Sequence, residues 1–167
     1  MAQNDSSFAD LPLADLLSAD LPFADLPFAE LLSLTTMSLA TVSPQGDVHS
    51  AAVYFAVGER VQLYFFSDPD SQHGRDVAQH PRSAVSIYPE CHDWQEIRGL
   101  QMRGDVLVLQ VGPQWDQAWR IYRQKFPFVE GLQAVVEQNR FYVFRPQWIR
   151  LVDNRRGFGF KQEWTLS

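Results

Sequence analysis

The chain has 167 residues, 46% of them hydrophobic and 13% aromatic, which suits one domain with a sizeable core. Its net charge of −6 gives no basic field for nucleic acid or anionic lipid, and no apolar run approaches the ~20 residues of a membrane-spanning helix. An acidic start without early Lys or Arg lacks the pattern of a secretory leader, so we expect a cytoplasmic protein.

The first segment repeats with a period of five residues. Between residues 8 and 32, each pentad carries alanine, an acid and leucine in that order. The pattern resembles pentapeptide-repeat proteins, but five pentads make little more than one coil of their β-helix. Prolines at 12, 22 and 27 interrupt it. We therefore predict a repetitive leader over residues 1–27 and a globular domain over 28–167.

The globular part is strand-rich. A short helix is predicted over 28–33, a second helix over 72–79 behind Ser71, and a third from Pro113 to about residue 126. The strands are predicted at 38–42, 48–57, 61–66, 83–88, 100–111, 141–144, 148–152 and 160–164. Gly104 inside a long strand indicates a bulge, and the aromatic stripe of the third helix indicates a core face.

Polar side chains cluster at the predicted strand ends. Ser67 closes one strand, and Ser71 starts the helix that follows. A serine-capped helix start can hold a phosphate on its backbone N–H groups. The glycine-rich nucleotide loops, the nucleophile elbow of hydrolases and the His-Glu-x-x-His zinc motif are absent from the sequence. The pattern therefore favours a phosphate-bearing cofactor over covalent catalysis, and no side chain stands out as an acid or base.

The order of motifs from residue 37 to 106 resembles the pyridoxamine phosphate oxidase-like, FMN-binding split-barrel superfamily, in an uncharacterised branch. Where the oxidase has an arginine and, five residues later, a lysine, this chain has His49 and Tyr54. The family's Tyr-Thr pair falls on Phe66-Ser67, and its phosphate-gripping Ser-Arg-Lys falls on Ser71-Gln72-His73.

The resemblance implies a mainly β fold, a six-stranded antiparallel split β-barrel with two or three peripheral α-helices. It also implies a homodimer that binds FMN and acts as a flavin-dependent oxidoreductase on a small-molecule redox substrate. Trp94, Arg98 or Trp148 would approach the partner's flavin. The cofactor-binding residues expected from the resemblance are His49, Ser50, Ala51, Tyr54, Phe66, Ser67, Ser71, Gln72, His73, Arg98 and Gly99.

The departures from the family matter as much as the matches. Tyr54, Gln72 and His73 replace the oxidase's fixed positive charges, so we expect weaker or more pH-sensitive flavin binding. The Arg-Leu-His-Asp-Arg ending that grips the oxidase's substrate is missing, so pyridoxamine phosphate oxidase activity itself is not expected.

Three alternatives remain open at the level of sequence. The chain could be a haem-binding or haem-degrading split barrel with His49, His73 or His92 as axial ligand. It could be a non-catalytic flavin-binding protein, or an adaptor that uses its leader. Ser71 could serve only as a helix cap. The neighbouring Cys91 and His92 are read as loop residues, and no metal site is expected.

Overall fold

A computed structural model describes residues 26–166 of the chain. The predicted leader lies outside the described residues except for its last two, of which Leu26 is buried in the core. The strands are β1 (Thr36–Val42), β2 (Val48–Tyr54), β3 (Ala56–Val57), β4 (Leu63–Ser67), β5 (Arg82–Ile87), β6 (Arg98–Val108), β7 (Arg140–Asp153) and β8 (Lys161–Thr165). The α-helices are α1 (Ala29–Leu32), α2 (Gln72–Gln79), α3 (Pro113–Lys125) and α4 (Gln133–Gln138).

The strands form one antiparallel sheet in the order β2-β1-β5-β6-β7-β4-β3, with β8 added to β7. Because β2 also lies against β4, the sheet curls on itself. The predicted mainly β split-barrel fold is confirmed. Within residues 26–166 the sheet has eight strands rather than six, since the two-residue β3 and the late β8 extend a six-stranded barrel.

Two predictions of where strands break or continue are wrong. The predicted strand 48–57 breaks at Phe55, whose side chain is fully buried and whose N–H donates to the carbonyl of Thr35 instead of a ladder partner. The predicted strands 141–144 and 148–152 are one strand, β7, which runs through Pro146. Proline cannot donate to a ladder, which explains why the sequence indicated an interruption there.

The bulge predicted at Gly104 is confirmed. Gly104 pairs with Pro146 while Arg103 pairs with Trp148, so Gln147 is the extra residue on β7. A Cβ atom on Gly104 would overlap the carbonyl oxygen of Arg145, so only glycine fits this close approach.

The core has two parts. The larger part fills the barrel, and the second lies under α3, where Tyr122 and Trp119 pack edge-on against Phe66. Phe66 in turn stacks on Phe141 with 4.1 Å between ring centroids. The aromatic stripe of α3 is therefore a core face, as predicted.

The segment 26–34 closes one end of the barrel. Phe28 is 1% exposed and meets Trp164 edge-on with 5.3 Å between ring centroids. Lys125 holds the end of this segment, because its Nζ donates to the carbonyl of Leu34 at 2.6 Å and lies 4.2 Å over the ring of Phe55. Burial lowers the pKa of Lys125 to about 8.

Among the helices within residues 26–166, none has the length and apolar character needed to cross a membrane.

Candidate cofactor site

The start of β2 and the helix α2 meet at a buried carboxylate. Asp76 on α2 is 1% exposed and accepts a hydrogen bond from Thr41 Oγ1 of β1 at 2.7 Å. His49 lies on the inward face of β2, and its Nδ1 donates to the same carboxylate at 2.9 Å. Gln72 completes the set by donating to the other carboxylate oxygen at 2.9 Å. Three elements are therefore tied together at one polar point.

The hydrogen bonds decide the ionisation of this carboxylate. Burial raises the pKa of Asp76, but the hydrogen bonds from Thr41, Gln72 and His49 and the charge on His49 outweigh it, so the pKa lies below its ordinary value. Asp76 is therefore ionised at neutral pH, and it fixes the ring of His49 with the Nε2 edge turned away from it. Among residues 26–166, His49 Nε2 has no recorded hydrogen-bond partner, and 37% of this side chain is exposed.

A second polar contact lies one turn earlier in α2. Ser67 Oγ at the end of β4 forms a short hydrogen bond with His73 Nε2. Burial lowers the pKa of His73, and the nearby charges of Asp76 and Asp68 oppose that shift only in part. His73 is therefore neutral at physiological pH in the cofactor-free chain.

Ser71 is the N-cap of α2. Its Oγ accepts from the N–H of Gly74 at 3.1 Å and donates to the carbonyl of Asp68 at 2.7 Å. Both functions of the hydroxyl are therefore used locally. The backbone N–H groups of Gln72 and His73, in the first turn, have no acceptor among the residues that the structure describes.

The charge around this helix start is negative. The guanidinium of Arg75, within the helix, donates to the carbonyl of Asp70 and to Gln72 Oε1. Arg140 pairs with Ser67 across β4 and β7 and lines a pocket with Pro69 and Gly74, so it is a second cation near this helix start. Asp68 and Asp70 occupy the loop immediately before α2, and the charges of Asp68 and Asp76 both act on His73. Neutral donors thus stand where the family has an arginine and a lysine.

Other predicted site residues lie elsewhere. Tyr54 is five residues beyond His49 on the opposite face of β2, and its ring packs edge-on against Phe126 and Phe128. Phe66 belongs to the aromatic core under α3, although the next residue, Ser67, reaches His73. The structure gives both aromatic side chains packing partners, and their contact with a cofactor stays a prediction.

Arg98 and Gly99 lie at the start of β6. Arg98 belongs to an ion cluster with Glu30, in the segment that closes the barrel, and Arg155. Arg98 contacts Glu30 at 2.5 Å, and Arg155 contacts the same carboxylate at 3.6 Å. Among the described residues, the buried Arg98 Nε has no hydrogen-bond partner. A Cβ on Gly99 would come within 2.9 Å of the carbonyl oxygen of Ile87, so this glycine allows close strand approach. Neither residue joins the cluster at α2.

The sequence did not identify a groove on the outer face of the sheet. The strand registers place one row of outward side chains across five neighbouring strands. The row consists of Ser50, Ala40, Ala84, Arg103 and Trp148. Four members of this row, Ala40, Ala84, Arg103 and Trp148, line a groove of about 540 Å³, in which the two alanines leave room beside the larger side chains. The row is formed by strand register, which joins residues that are distant in the sequence.

The groove has a flat end. The guanidinium of Arg103 lies 4.3 Å over the Trp148 ring. Arg150 lies 4.8 Å from the same ring, and its charge is paired with Glu163 at 2.7 Å. Thr41 also lines the groove, and its hydroxyl donates to Asp76. The outer groove and the polar cluster at α2 are therefore neighbours: on β2, Val48 lines the groove and His49 belongs to the polar cluster.

The predicted loop character of Cys91 and His92 agrees with the structure. The thiol contacts the carbonyls of Pro89 and Glu96 at 3.5 and 3.4 Å, and the N–H of His92 donates to Glu96. Across residues 26–166, no group of three or more His, Cys, Asp or Glu side chains is placed to hold a metal ion.

Comparisons of structure show the fold alone. A heme-binding protein from Mycobacterium smegmatis superposes with a TM-score of 0.68 at 18% identity, over 80% of this chain and 53% of that protein. Campylobacter jejuni ChuZ gives a TM-score of 0.71 at 16% identity, over 92% of this chain and 63% of ChuZ. HutZ of Vibrio cholerae, described as a heme storage protein, gives 0.64 at 13% identity, over 73% of this chain and 89% of HutZ. The chain thus spans about half of the M. smegmatis protein.

Comparisons of sequence identify relatives and the family. A UPF0306 protein of Enterobacter sp. strain 638 is 29% identical over 127 residues, 75% of this chain and 85% of that protein. YhbP of Escherichia coli O157:H7, also a UPF0306 protein, is 27% identical over 124 residues, 74% of this chain and 80% of YhbP. The profile of the family described as pyridoxamine 5'-phosphate oxidase matches residues 28–153, well over half of the chain. The chain therefore belongs to the pyridoxamine 5'-phosphate oxidase family.

Proposed function

We propose that this protein binds FMN, with the phosphate at the start of α2, and exchanges electrons with a small-molecule redox substrate. The observation that carries the proposal is the pair of N–H groups of Gln72 and His73, which have no acceptor within residues 26–166, together with the Ser67 hydroxyl that contacts the His73 ring. Helix N-terminal amides favour phosphate by hydrogen bonding and by the helix dipole. Membership of the oxidase family supports the same cofactor.

The residues present fit a phosphate by hydrogen bonding more than by charge. Arg75 is engaged locally, and the charge of Arg140, opposite Ser67, is offset by Asp68 and Asp70. A bound dianion would raise the pKa of His73, opposing the effect of its burial, so FMN binding is expected to draw a proton to this ring. We therefore expect an affinity below that of a site with an arginine and a lysine.

The outer groove is the proposed place for the flavin ring. Trp148 and the stacked Arg103 offer flat surfaces to a planar ring, and Ser83 provides a polar residue in the lining of the groove. The volume of about 540 Å³ lies within the ordinary range of cofactor pockets. Bound FMN would supply the electron-transfer chemistry, while the chain would orient the ring and keep one face open to substrate.

We also propose a homodimer in the cytoplasm. Trp94 is 52% exposed and packs only edge-on with the exposed Phe158 among the aromatic contacts of residues 26–166, so this pair is available to a second protomer. Arg98 is committed to Glu30 and is no longer a candidate that we favour for the partner's flavin. Light scattering of the purified chain tests the dimer, and cell fractionation tests the location.

The deciding experiment compares FMN with riboflavin, which lacks the phosphate. The full chain is mixed with each compound and desalted, and its absorption spectrum is recorded; dissociation constants come from flavin fluorescence quenching. We expect Ser67→Ala/His73→Ala to weaken FMN binding at least tenfold and riboflavin binding little, with His92→Ala as the matched control. Ser71 is left intact because it caps α2. Equal affinities for both compounds would contradict the phosphate site.

A second candidate function is haem binding, and the His49–Asp76 pair favours it. A histidine whose Nδ1 donates to a buried carboxylate, with Nε2 free, has the orientation of an iron ligand held by its outer-shell partner. Two of the proteins with this fold are described as heme-binding or heme-storage proteins. Titration with hemin should give a Soret band that His49→Ala removes and His92→Ala preserves. Retained flavin without such a band favours the first proposal, and flavin retained without turnover indicates a non-catalytic carrier.

A further inference from the structure

The segment that closes the barrel has a second copy upstream in the chain. Residues 26–33 read Leu-Pro-Phe-Ala-Glu-Leu-Leu-Ser, and residues 11–18 read Leu-Pro-Leu-Ala-Asp-Leu-Leu-Ser. Six of the eight positions are identical, and the copies are 15 residues apart. The two differences, Leu13 for Phe28 and Asp15 for Glu30, keep an apolar and an acidic residue in place.

The apolar residues of the docked copy are the ones that the repeat preserves. Leu26, Phe28, Leu31 and Leu32 are 8%, 1%, 3% and 1% exposed, and all four belong to the main core. Their counterparts in the upstream copy are leucines at all four positions. Residues 11–18 therefore present the same pattern of apolar side chains that the docked copy buries in its groove.

The polar contacts of the docked copy are also preserved. Glu30 binds Arg98 at 2.5 Å and Arg155 at 3.6 Å, and the Ser33 hydroxyl ends α1 by donating to the carbonyl of Glu30 at 2.6 Å. Asp15 and Ser18 stand at the matching positions of the upstream copy. Lys125 adds no side-chain selectivity, because it holds backbone carbonyls.

The other pentad registers do not match. A shift of five residues places Pro27 where Leu32 now lies, and a shift of ten places Pro22 there and Ser18 in the pocket of Phe28. Proline at that position removes the N–H that Leu32 donates to the carbonyl of Phe28. Only the shift of 15 residues keeps every anchor, the acid and the helix.

We propose that residues 11–18 are an alternative closing segment, able to replace residues 26–33 in the same groove of the same chain. The residues between Ser18 and Thr36 would then form a loop, whose closure cost grows only slowly with length. Tethering gives the upstream copy a high effective concentration at the groove. Leu13 fills less volume than Phe28, and Asp15 reaches less far than Glu30, so residues 26–33 are the preferred occupant.

The first test is a cycle of thermal unfolding measurements on the full chain. Leu31→Ala/Leu32→Ala weakens the docked copy, and Leu16→Ala/Leu17→Ala weakens the upstream copy. With exchange, the upstream variant alone leaves Tm unchanged, and the combined variant falls about 5 °C or more beyond the sum of the two. Additive shifts would overturn the proposal. Leu21→Ala/Phe23→Ala replaces residues outside both copies and should add nothing beyond its own effect.

The second test detects the contact directly. In a Cys91→Ser background, Asp15→Cys/Arg98→Cys is treated with a short thiol crosslinker. Glu30→Cys/Arg98→Cys is the positive control and Asp20→Cys/Arg98→Cys the register control. We expect a linkage within one chain at several times the yield of the register control, and a higher yield when Phe28→Leu equalises the anchors. A yield no greater than the register control, or linkage only between chains, would overturn exchange within the chain.

Discussion

Asp76 orders the candidate site because three side chains from three elements donate to it in a buried position. Replacing it by asparagine keeps the shape but removes the charge that holds His49. We expect Asp76→Asn to lower the free energy of unfolding by about 2–3 kcal/mol. Thr41→Val keeps the size of the side chain but removes one of the three donors, and it should lower the free energy of unfolding by about 1 kcal/mol. Urea unfolding at pH 7 measures both, and an equal loss in the two variants would contradict a central carboxylate.

The same carboxylate predicts acid sensitivity. Its folded-state pKa is depressed, so the unfolded chain binds the proton first as the pH falls. The stabilisation is present above the ordinary carboxyl pKa of about 3.9 and is lost as the pH falls through the folded-state value. We expect Asp76→Asn to lose less stability than the wild type between pH 5 and pH 2. Parallel curves in urea unfolding across that range would argue against it.

The titration of His73 predicts a second pH range, above that of Asp76, in which the stability of the fold changes. Burial depresses its folded-state pKa, so the unfolded chain takes up the proton first once the pH falls below about 6.5. Stability should therefore decline from about pH 6.5 toward the folded-state pKa, and His73→Gln should flatten this part of the curve. Denaturant unfolding between pH 5 and pH 8 checks it. His92→Gln, in an exposed loop, is the control expected to follow the wild type.

At the scale of elements, the bulge between β6 and β7 sets the geometry of the outer groove. It shifts the register beside Arg103 and Trp148, the two residues that form the groove's flat end. Because a Cβ on Gly104 would overlap backbone, the strands would have to separate to admit it. The bulge therefore links local chain geometry to the proposed position of the flavin ring.

The matching prediction concerns Gly104→Ala. We expect it to lower the free energy of unfolding by about 3 kcal/mol, since backbone cannot yield as a flexible side chain can. Gly131→Ala is the control, because nothing lies within 4 Å of the Cβ that it would add. Guanidinium unfolding measures both. A loss below 1 kcal/mol at Gly104 would show that the two strands can part without cost.

At the scale of the whole molecule, the segment 26–34 that closes the barrel is an integral part of the fold. Phe28, Leu31 and Leu32 are each at most 3% exposed, and burying such a side chain contributes about 1.5–3 kcal/mol. Deleting residues 1–34 should therefore lower Tm by about 10 °C or more, whereas deleting residues 1–25 should change it little. Calorimetry of both truncated chains tests this, and equal Tm values would show that the barrel closes without the segment.

The sequence by itself determined the mainly β fold, the bulge at Gly104, the cap at Ser71 and the core face of α3. These features depend on local chemistry: alternation of side chains, a hydroxyl before a helix and the steric needs of one glycine. It also brought Ser67, Gln72 and His73 into one candidate site through a resemblance carried by the order of motifs.

Tertiary structure alone decided which of those residues meet. The carboxylate of Asp76 collects His49 from 27 positions away and Thr41 from 35, and nothing local marks it as their partner. The row from Ser50 to Trp148 exists only through strand register, because each pairing joins residues distant in the chain. The positions of Tyr54 and Phe66 likewise follow from aromatic packing, and that of Arg98 from its ion pair with Glu30. These contacts form only when the sheet curls and its open end is closed.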